Sequence, residues 1–319
     1  MINFRFHVVS IVAAFLALAV GVVFGSTIVD QAIVDGLRSD LRNTRKGVTE
    51  ARDQNEQLKS DIERFDNYSD AMAPFIVEDR LSDSSVVLVV ERGVDEGLVE
   101  SQRDLLAAAG ASVVVVVWLE PKVVTPTDYL ERLQEIVHAT SPELVDVRAA
   151  TFDALAFHMR RGVLTADEQT APAEEQVDLP VLALADEGFI AIDGDVEALQ
   201  GSPAELRRAI IVGSLDATAE AMEMLAEVAS AFDSEGFEAA LGEVSPNATD
   251  IVDLPDRGAR LLAVTSGPLA TRVATVDNVD ELQGRVALVL ALADVVDGVV
   301  GHYGFGVGAT HSSPTWSQG

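Results

Sequence analysis

The stretch "SSVVLVVERGVDEGLVESQRDLLAAAGASVVVVVWLE", residues 84–120, decides the fold. Its two ends, 84–91 and 112–120, are unbroken β-branched runs, the pattern of strands covered on both faces. Between them residues 97–109 read as a helix closed by Gly110, so the unit is β-α-β and its strands are expected to be parallel. "FIAID" (189–193), "RRAIIVGS" (207–214) and "TRVATVD" (271–277) repeat the strand pattern. Helices are expected at 128–138, at 148–161, after Ser214 with Asp216 as a cap, and at 281–296, with an acidic, proline-bearing loop at 165–177. The fold class that follows is α/β: an open, mostly parallel sheet of four to six strands with helices on both faces, spanning residues 82–300.

Upstream of this body, "VVSIVAAFLALAVGVVFGSTIV" (Val8 to Val29) holds 22 residues without a charge. As a helix it spans about 33 Å, enough for one bilayer crossing. A signal-peptidase cut near Ala17-Leu18-Ala19 would leave a chain that still starts in apolar sequence, so residues 1–30 are read as a transmembrane anchor rather than a cleaved leader. Ala13, Ala17, Gly21 and Gly25 recur every four residues and present a small-residue face to which a second membrane helix can pack closely. Orientation is expected to leave the short N-terminus inside and the large body outside, an extracytoplasmic placement.

Residues 31–75 carry a seven-residue frame, with Val34, Leu41, Val48, Asn55, Ile62 and Ser69 at a and Leu37, Thr44, Ala51, Leu58, Phe65 and Met72 at d. This predicts a coiled-coil stalk ended by Pro74 and the polar stretch "EDRLSDS" (78–84), with Asn55 fixing the register of a parallel homo-oligomer. In a parallel pair Asp40 would face Arg45 of the other chain favourably, whereas Asp61 would face Asp66.

Composition narrows the chemistry. Of the 319 residues, 52 are acidic and 22 basic, a formal net charge of -30 that repels nucleic-acid phosphates and attracts cations nonspecifically. No cysteine is present, which excludes disulfides, thiolate metal sites and a cysteine nucleophile. By the rule for open α/β sheets, a ligand would sit beyond the carboxyl ends of the strands, which offers Glu91, Arg92 and Gly93 after the first strand and Ser214 after "RRAIIVGS". "ERGVDEG" lacks the GxGxxG spacing, no Walker A motif occurs, and "VGSLD" around Ser214 lacks the second glycine of a nucleophile elbow. No enzyme activity and no cofactor are therefore expected. His138 and His158 stand singly on helices, and Met222 and Met224 point about 200° apart on a helix.

A last segment, "GHYGFGVGAT" (301–310) followed by His311, has the glycines of a phosphate cradle and two histidines, His302 and His311, as candidate metal ligands. It follows a helix rather than a strand, against the context a phosphate loop needs. The bland reading of this 301–319 tail is a turn laid across the sheet domain and anchored by Tyr303 and Phe305.

Three stretches together carry a family resemblance: "HVVSIVAAFLALAVGVVFGS" (7–26), "RFDNYSDAMAPFIVEDRLSDSSVVLVV" (64–90) and "VATVDNVDELQGRVALVLALADVVDGVVGHYGFGVGA" (273–309). The chain resembles the actinobacterial copper transporter family named for the mycobacterial copper transport protein B. That resemblance implies a cell-envelope protein linked to copper export or homeostasis, with copper as a transported ion, described in mycobacteria as an outer-membrane channel. The residues argue for a different architecture: a transmembrane barrel needs many strands alternating apolar and polar, whereas these are solidly apolar and separated by helices. A single anchor carrying an α/β body, with any pore arising from assembly, is the expectation. The rival expectation is an anchored scaffold or ligand-binding module with no direct metal transport.

Overall fold

The computed structural model describes residues 4–124, 126–161, 180–214, 222–245 and 256–314. Asp216 and the 165–177 loop lie outside the described residues. The chain divides into two compact units, Met1–Tyr68 and Ser69–Gly319.

The first unit is helical, formed by α1 (Phe4–Val77) as far as Tyr68, and the Phe4–Gly25 portion of that helix is long and apolar enough to cross a membrane. Ala13, Ala17, Gly21 and Gly25 are exposed along it. In the following turns Val34, Leu37, Leu41, Val48, Leu58, Ile62 and Phe65 are exposed apolar side chains. Asn55 donates from Nδ2 to the Ala51 carbonyl of its own helix at 2.9 Å.

α1 runs three residues past Pro74 and stops at Val77, where the polar stretch "EDRLSDS" begins. A proline inside a helix costs about 3 kcal/mol. Here the last turn buries Ala73 and Val77 in the core of the second unit, which offsets that cost.

The second unit continues with β1 (Ser85–Glu91), α2 (Glu96–Ala108), β2 (Ser112–Leu119), α3 (Pro121–Val124), α4 (Leu130–Val137), α5 (Leu144–Arg161) and α6 (Pro180–Asp186). After these come β3 (Ile190–Gly194), α7 (Val196–Gly201), β4 (Arg207–Ser214), α8 (Met224–Ser234), β5 (Glu238–Val244), α9 (Leu262–Thr265), β6 (Val273–Val276), α10 (Leu282–Val296) and β7 (His302–Tyr303). The strands form one seven-stranded sheet in the order β3-β2-β1-β4-β5-β6-β7. All neighbouring pairs are parallel except β2 with β3, which is antiparallel.

The sheet is open, and its faces are buried by two separate cores, as the continuous apolar strands require. Val87 and Val89 of β1 pack with α4, α5, α6 and α8 on one face. Val86, Leu88 and Val90 pack with α2 and α10 on the other. The α/β class is thus as read from the sequence, with two strands added. One is β5, whose sequence "EAALGEV" has little β-branched content. The other is β7, a two-residue edge strand inside the stretch read as a tail. Tyr303 is buried as that strand's anchor, but the Phe305 side chain is 69% exposed and does not anchor the segment, which corrects the reading of that residue.

Candidate functional site

The strand order reverses between β1 and β4, and that switch point puts the carboxyl ends of two neighbouring strands beside loops running in opposite directions. Four strands carry a carboxylate at or just past this end, Glu120 after β2, Glu91 on β1, Glu243 on β5 and Asp277 after β6, while β4 ends in Ser214. Each is used within the protein.

Glu91 and Ser214, two residues named from the sequence, meet here. The Ser214 backbone N–H donates to Glu91 Oε2 at 3.0 Å. The same oxygen takes an ion pair from Arg260 Nη1 at 2.5 Å, and Arg260, which is 0% exposed, also donates to the Ser214 carbonyl. A buried guanidinium between a carboxylate and a carbonyl is satisfied only if its partners stay fixed, so this pair ties the ends of β1 and β4 to the segment around 260. Arg92, also named from the sequence, turns away: it pairs with Glu120 at 2.6 Å and lies over the Trp118 ring at 4.3 Å.

Glu243, next along the sheet, accepts from the Gly258 N–H and from the Arg260 N–H, the latter at 3.1 Å. Burial pushes its carboxyl up from 4.5 to about 7, against the downward pull of those two N–H donors. Asp277 comes next, and its two oxygens accept from the Phe305 N–H at 2.9 Å and the Gly306 N–H at 2.8 Å. The glycine-rich segment is therefore an anion cradle, and the anion is the protein's own Asp277 carboxylate. Gly304 sits at φ +126, where a Cβ would collide with the Asp277 carboxylate, and a Cβ on Gly306 would strike the Arg257 carbonyl.

The two histidines of this segment are engaged separately. His302 is buried, with Nε2 3.1 Å from the Ala270 carbonyl and Nδ1 3.0 Å from Thr275 Oγ1. A carbonyl only accepts, so Nε2 carries the proton and Nδ1 accepts from the threonine hydroxyl, which leaves no ring lone pair for a cation. Burial lowers its pKa, consistent with a neutral ring. His311 is exposed, with Nδ1 3.0 Å from Thr310 Oγ1, and its carbonyl accepts from the Gly304 N–H at 2.9 Å. Among the described residues no group of three or more His, Cys, Asp or Glu side chains is gathered as a metal site.

Beside the buried network lies a cleft of about 480 Å³, lined by the loop after β1, the first turn of α2, the ends of β4 and β5, and Asp280 and Arg285 near the start of α10. Of the strand-end positions named from the sequence, Gly93 and Ser214 line it, whereas Glu91 and Arg92 do not. Sequence reading missed Arg260, Glu243, Asp277, Ser245, Asp280 and Arg285. The available signal was the carboxylate closing each strand run, as in "VVLVVE" and "VATVD".

An apolar N-terminal helix and an open doubly wound sheet define a membrane-associated α/β protein, with the glycine-rich end of the chain folded onto the sheet. The chain belongs to the family described as copper transport outer membrane protein, MctB, whose model matches residues 1–314. It is 29% identical over 323 residues to the copper transporter MctB of Mycobacterium tuberculosis (strain ATCC 25618 / H37Rv), covering 97% of this chain and 98% of that protein. It is equally similar, at 29% over 323 residues, to that of Mycobacterium bovis (strain ATCC BAA-935 / AF2122/97). With copper transporter MctB of Mycobacterium leprae (strain TN) the identity is 28% over 324 residues, covering 97% of this chain and 98% of that protein.

Proposed function

We propose that this protein acts in copper export or homeostasis at the cell envelope, without catalysis, as an oligomer held by its N-terminal helix. The observation that carries this reading is the family match over residues 1–314, which takes in the apolar helix, the body and the glycine-rich segment together. The relatives matched over nearly their whole length are named copper transporters.

In this proposal residues 1–30 are the single anchor and the body faces the extracytoplasmic side. Residues 31–75 form a parallel coiled coil. The exposed row from Val34 to Phe65 supports that stalk, since such a seam stays in water unless a partner helix covers it. Any ion path belongs to the assembly, because the sheet is open and packed on both faces. Copper passing along it is cargo, attracted by the acidic surface; the net charge of -30 supports that role. A second reading, an anchored scaffold or ligand-binding module with an indirect copper link, is favoured by the polar cleft at the switch point.

Growth in graded copper separates the two. The transport reading predicts that a deletion strain is inhibited at lower copper than its complemented parent. Equal inhibition of both strains would favour the scaffold.

A further inference from the structure

The cleft beside the Glu91–Arg260 network has a donor set that the rest of the protein leaves unused. Ser245 is 9% exposed, and its backbone N–H donates to Asp280 Oδ1 at 3.2 Å. Ser245 belongs to the cleft wall, and its buried hydroxyl has no partner among the described residues. Arg285 lines the same cleft: Nη1 donates to the Val279 and Asp280 carbonyls at 3.3 and 3.1 Å, while Nε has no partner among the described residues.

The same cleft is lined by the first turn of α2, a helix of 13 residues, with Gly97 in the wall and Asp95 capping the Leu98 N–H at 3.1 Å. Helix N-termini concentrate partial positive charge and N–H donors, which favours an anion.

The cleft also contains two carboxylates. Asp95 is committed to its cap. Asp280 takes Arg257 through both oxygens, at 3.2 and 3.3 Å, besides the Ser245 N–H. The groups left over, an arginine N–H, a serine hydroxyl and a helix N-terminus, donate, so the ligand must supply acceptors.

We propose that this cleft binds a small molecule through an oxyanion group, a phosphate or a carboxylate, held by Arg285, Ser245 and the amino end of α2. The volume of about 480 Å³ fits a small ligand. The location is the one an open α/β sheet offers at its order reversal. This site is independent of the copper reading and stands or falls separately from it.

The test is isothermal titration of the purified full-length protein in detergent with inorganic phosphate, with citrate, and with chloride, at matched ionic strength. Saturable binding of phosphate alone identifies a phosphate-bearing ligand, of citrate alone a carboxylate-bearing one, and of both the shared oxyanion chemistry. Arg285→Gln is expected to weaken that binding about tenfold or more, and Ser245→Ala about threefold to tenfold, with chloride inert. Arg285 also holds the 279–280 turn, so Arg285→Lys, which keeps the charge there but loses the Nε donor, serves as the milder variant and is expected to weaken binding as well. No saturable binding of either anion would overturn the proposal, as would binding unchanged in Ser245→Ala and Arg285→Lys.

Discussion

Replacing Glu91 with leucine removes the acceptor of two buried donors, the Ser214 N–H and Arg260 Nη1, and leaves a guanidinium that is 0% exposed without its nearest carboxylate. Hydrogen bonds to a charged group contribute about 1.5–3 kcal/mol each, so the two together approach about 3–6 kcal/mol. Breaking one side of a buried pair costs about 3–5 kcal/mol in general. Arg260 keeps the Ser214 carbonyl, and Glu243 lies close enough to interact with it electrostatically, so about 3–4 kcal/mol is the expected loss. The double variant Glu91→Leu/Arg260→Met removes the stranded cation and leaves the Ser214 N–H unpaired, so it should recover about 2 kcal/mol relative to the single variant. Trp118 lies buried on β2 and Trp316 is the second tryptophan, so a Trp316→Phe background lets fluorescence report the sheet alone during urea unfolding. A single variant that costs under about 1 kcal/mol, or a double variant that loses the sum of both singles, would refute the view that this pair ties β1 and β4 to the 260 segment.

Other consequences follow from the same geometry. Gly304→Ala should lower stability by at least about 2 kcal/mol, because φ +126 and the Asp277 carboxylate both reject a Cβ, and Asp277→Asn by about 1–3 kcal/mol; thermal unfolding at fixed pH checks both, and wild-type melting of Gly304→Ala would contradict the cradle. With Glu243 at about 7 when folded and near 4.5 when unfolded, the folded state binds the extra proton, so stability should fall by up to about 3 kcal/mol as pH rises through that window; Glu243→Gln should flatten this portion of the profile, and an unchanged slope in the variant would exclude Glu243 as its source. Asn55→Leu should change oligomer state or register in sedimentation equilibrium, and an unaltered distribution would undermine the parallel stalk. Protease added outside intact cells or spheroplasts should cut the body together with an external marker, whereas a spared body beside a cut marker would reverse the proposed orientation.

How much of this was legible from the chain differs by element. The β-branched runs at 84–91, 112–120 and 207–214 announced a doubly covered parallel sheet because burial on both faces leaves no room for alternation. β5 escaped notice because alanine and glycine there make space for α10 and the turn before it: a Cβ at Gly242 would stand 2.8 Å from Val279 Cγ2 and 3.1 Å from Leu288 Cδ2. β7 is two residues long and has no periodicity to detect. The rule about strand ends named Glu91 and Ser214 as separate positions, but not the hydrogen bond between them. Arg260, 169 residues from Glu91, left no local signal, because only the closed fold brings the two together. The glycines at 304–308 raised a phosphate cradle that the preceding helix argued against; the N–H groups of Phe305 and Gly306 do hold an anion, but it is Asp277 from the preceding strand's end, which local sequence does not name.

The central claim, that the protein acts in cellular copper handling, is tested most directly by copper content per cell. It is measured by mass spectrometry after copper exposure in a deletion strain, in that strain complemented with the full chain, and in one complemented with residues 31–319 only. The account predicts copper accumulation in the deletion strain, restoration by the full chain and no restoration by the unanchored form. Equal copper in the deletion and complemented strains would contradict it.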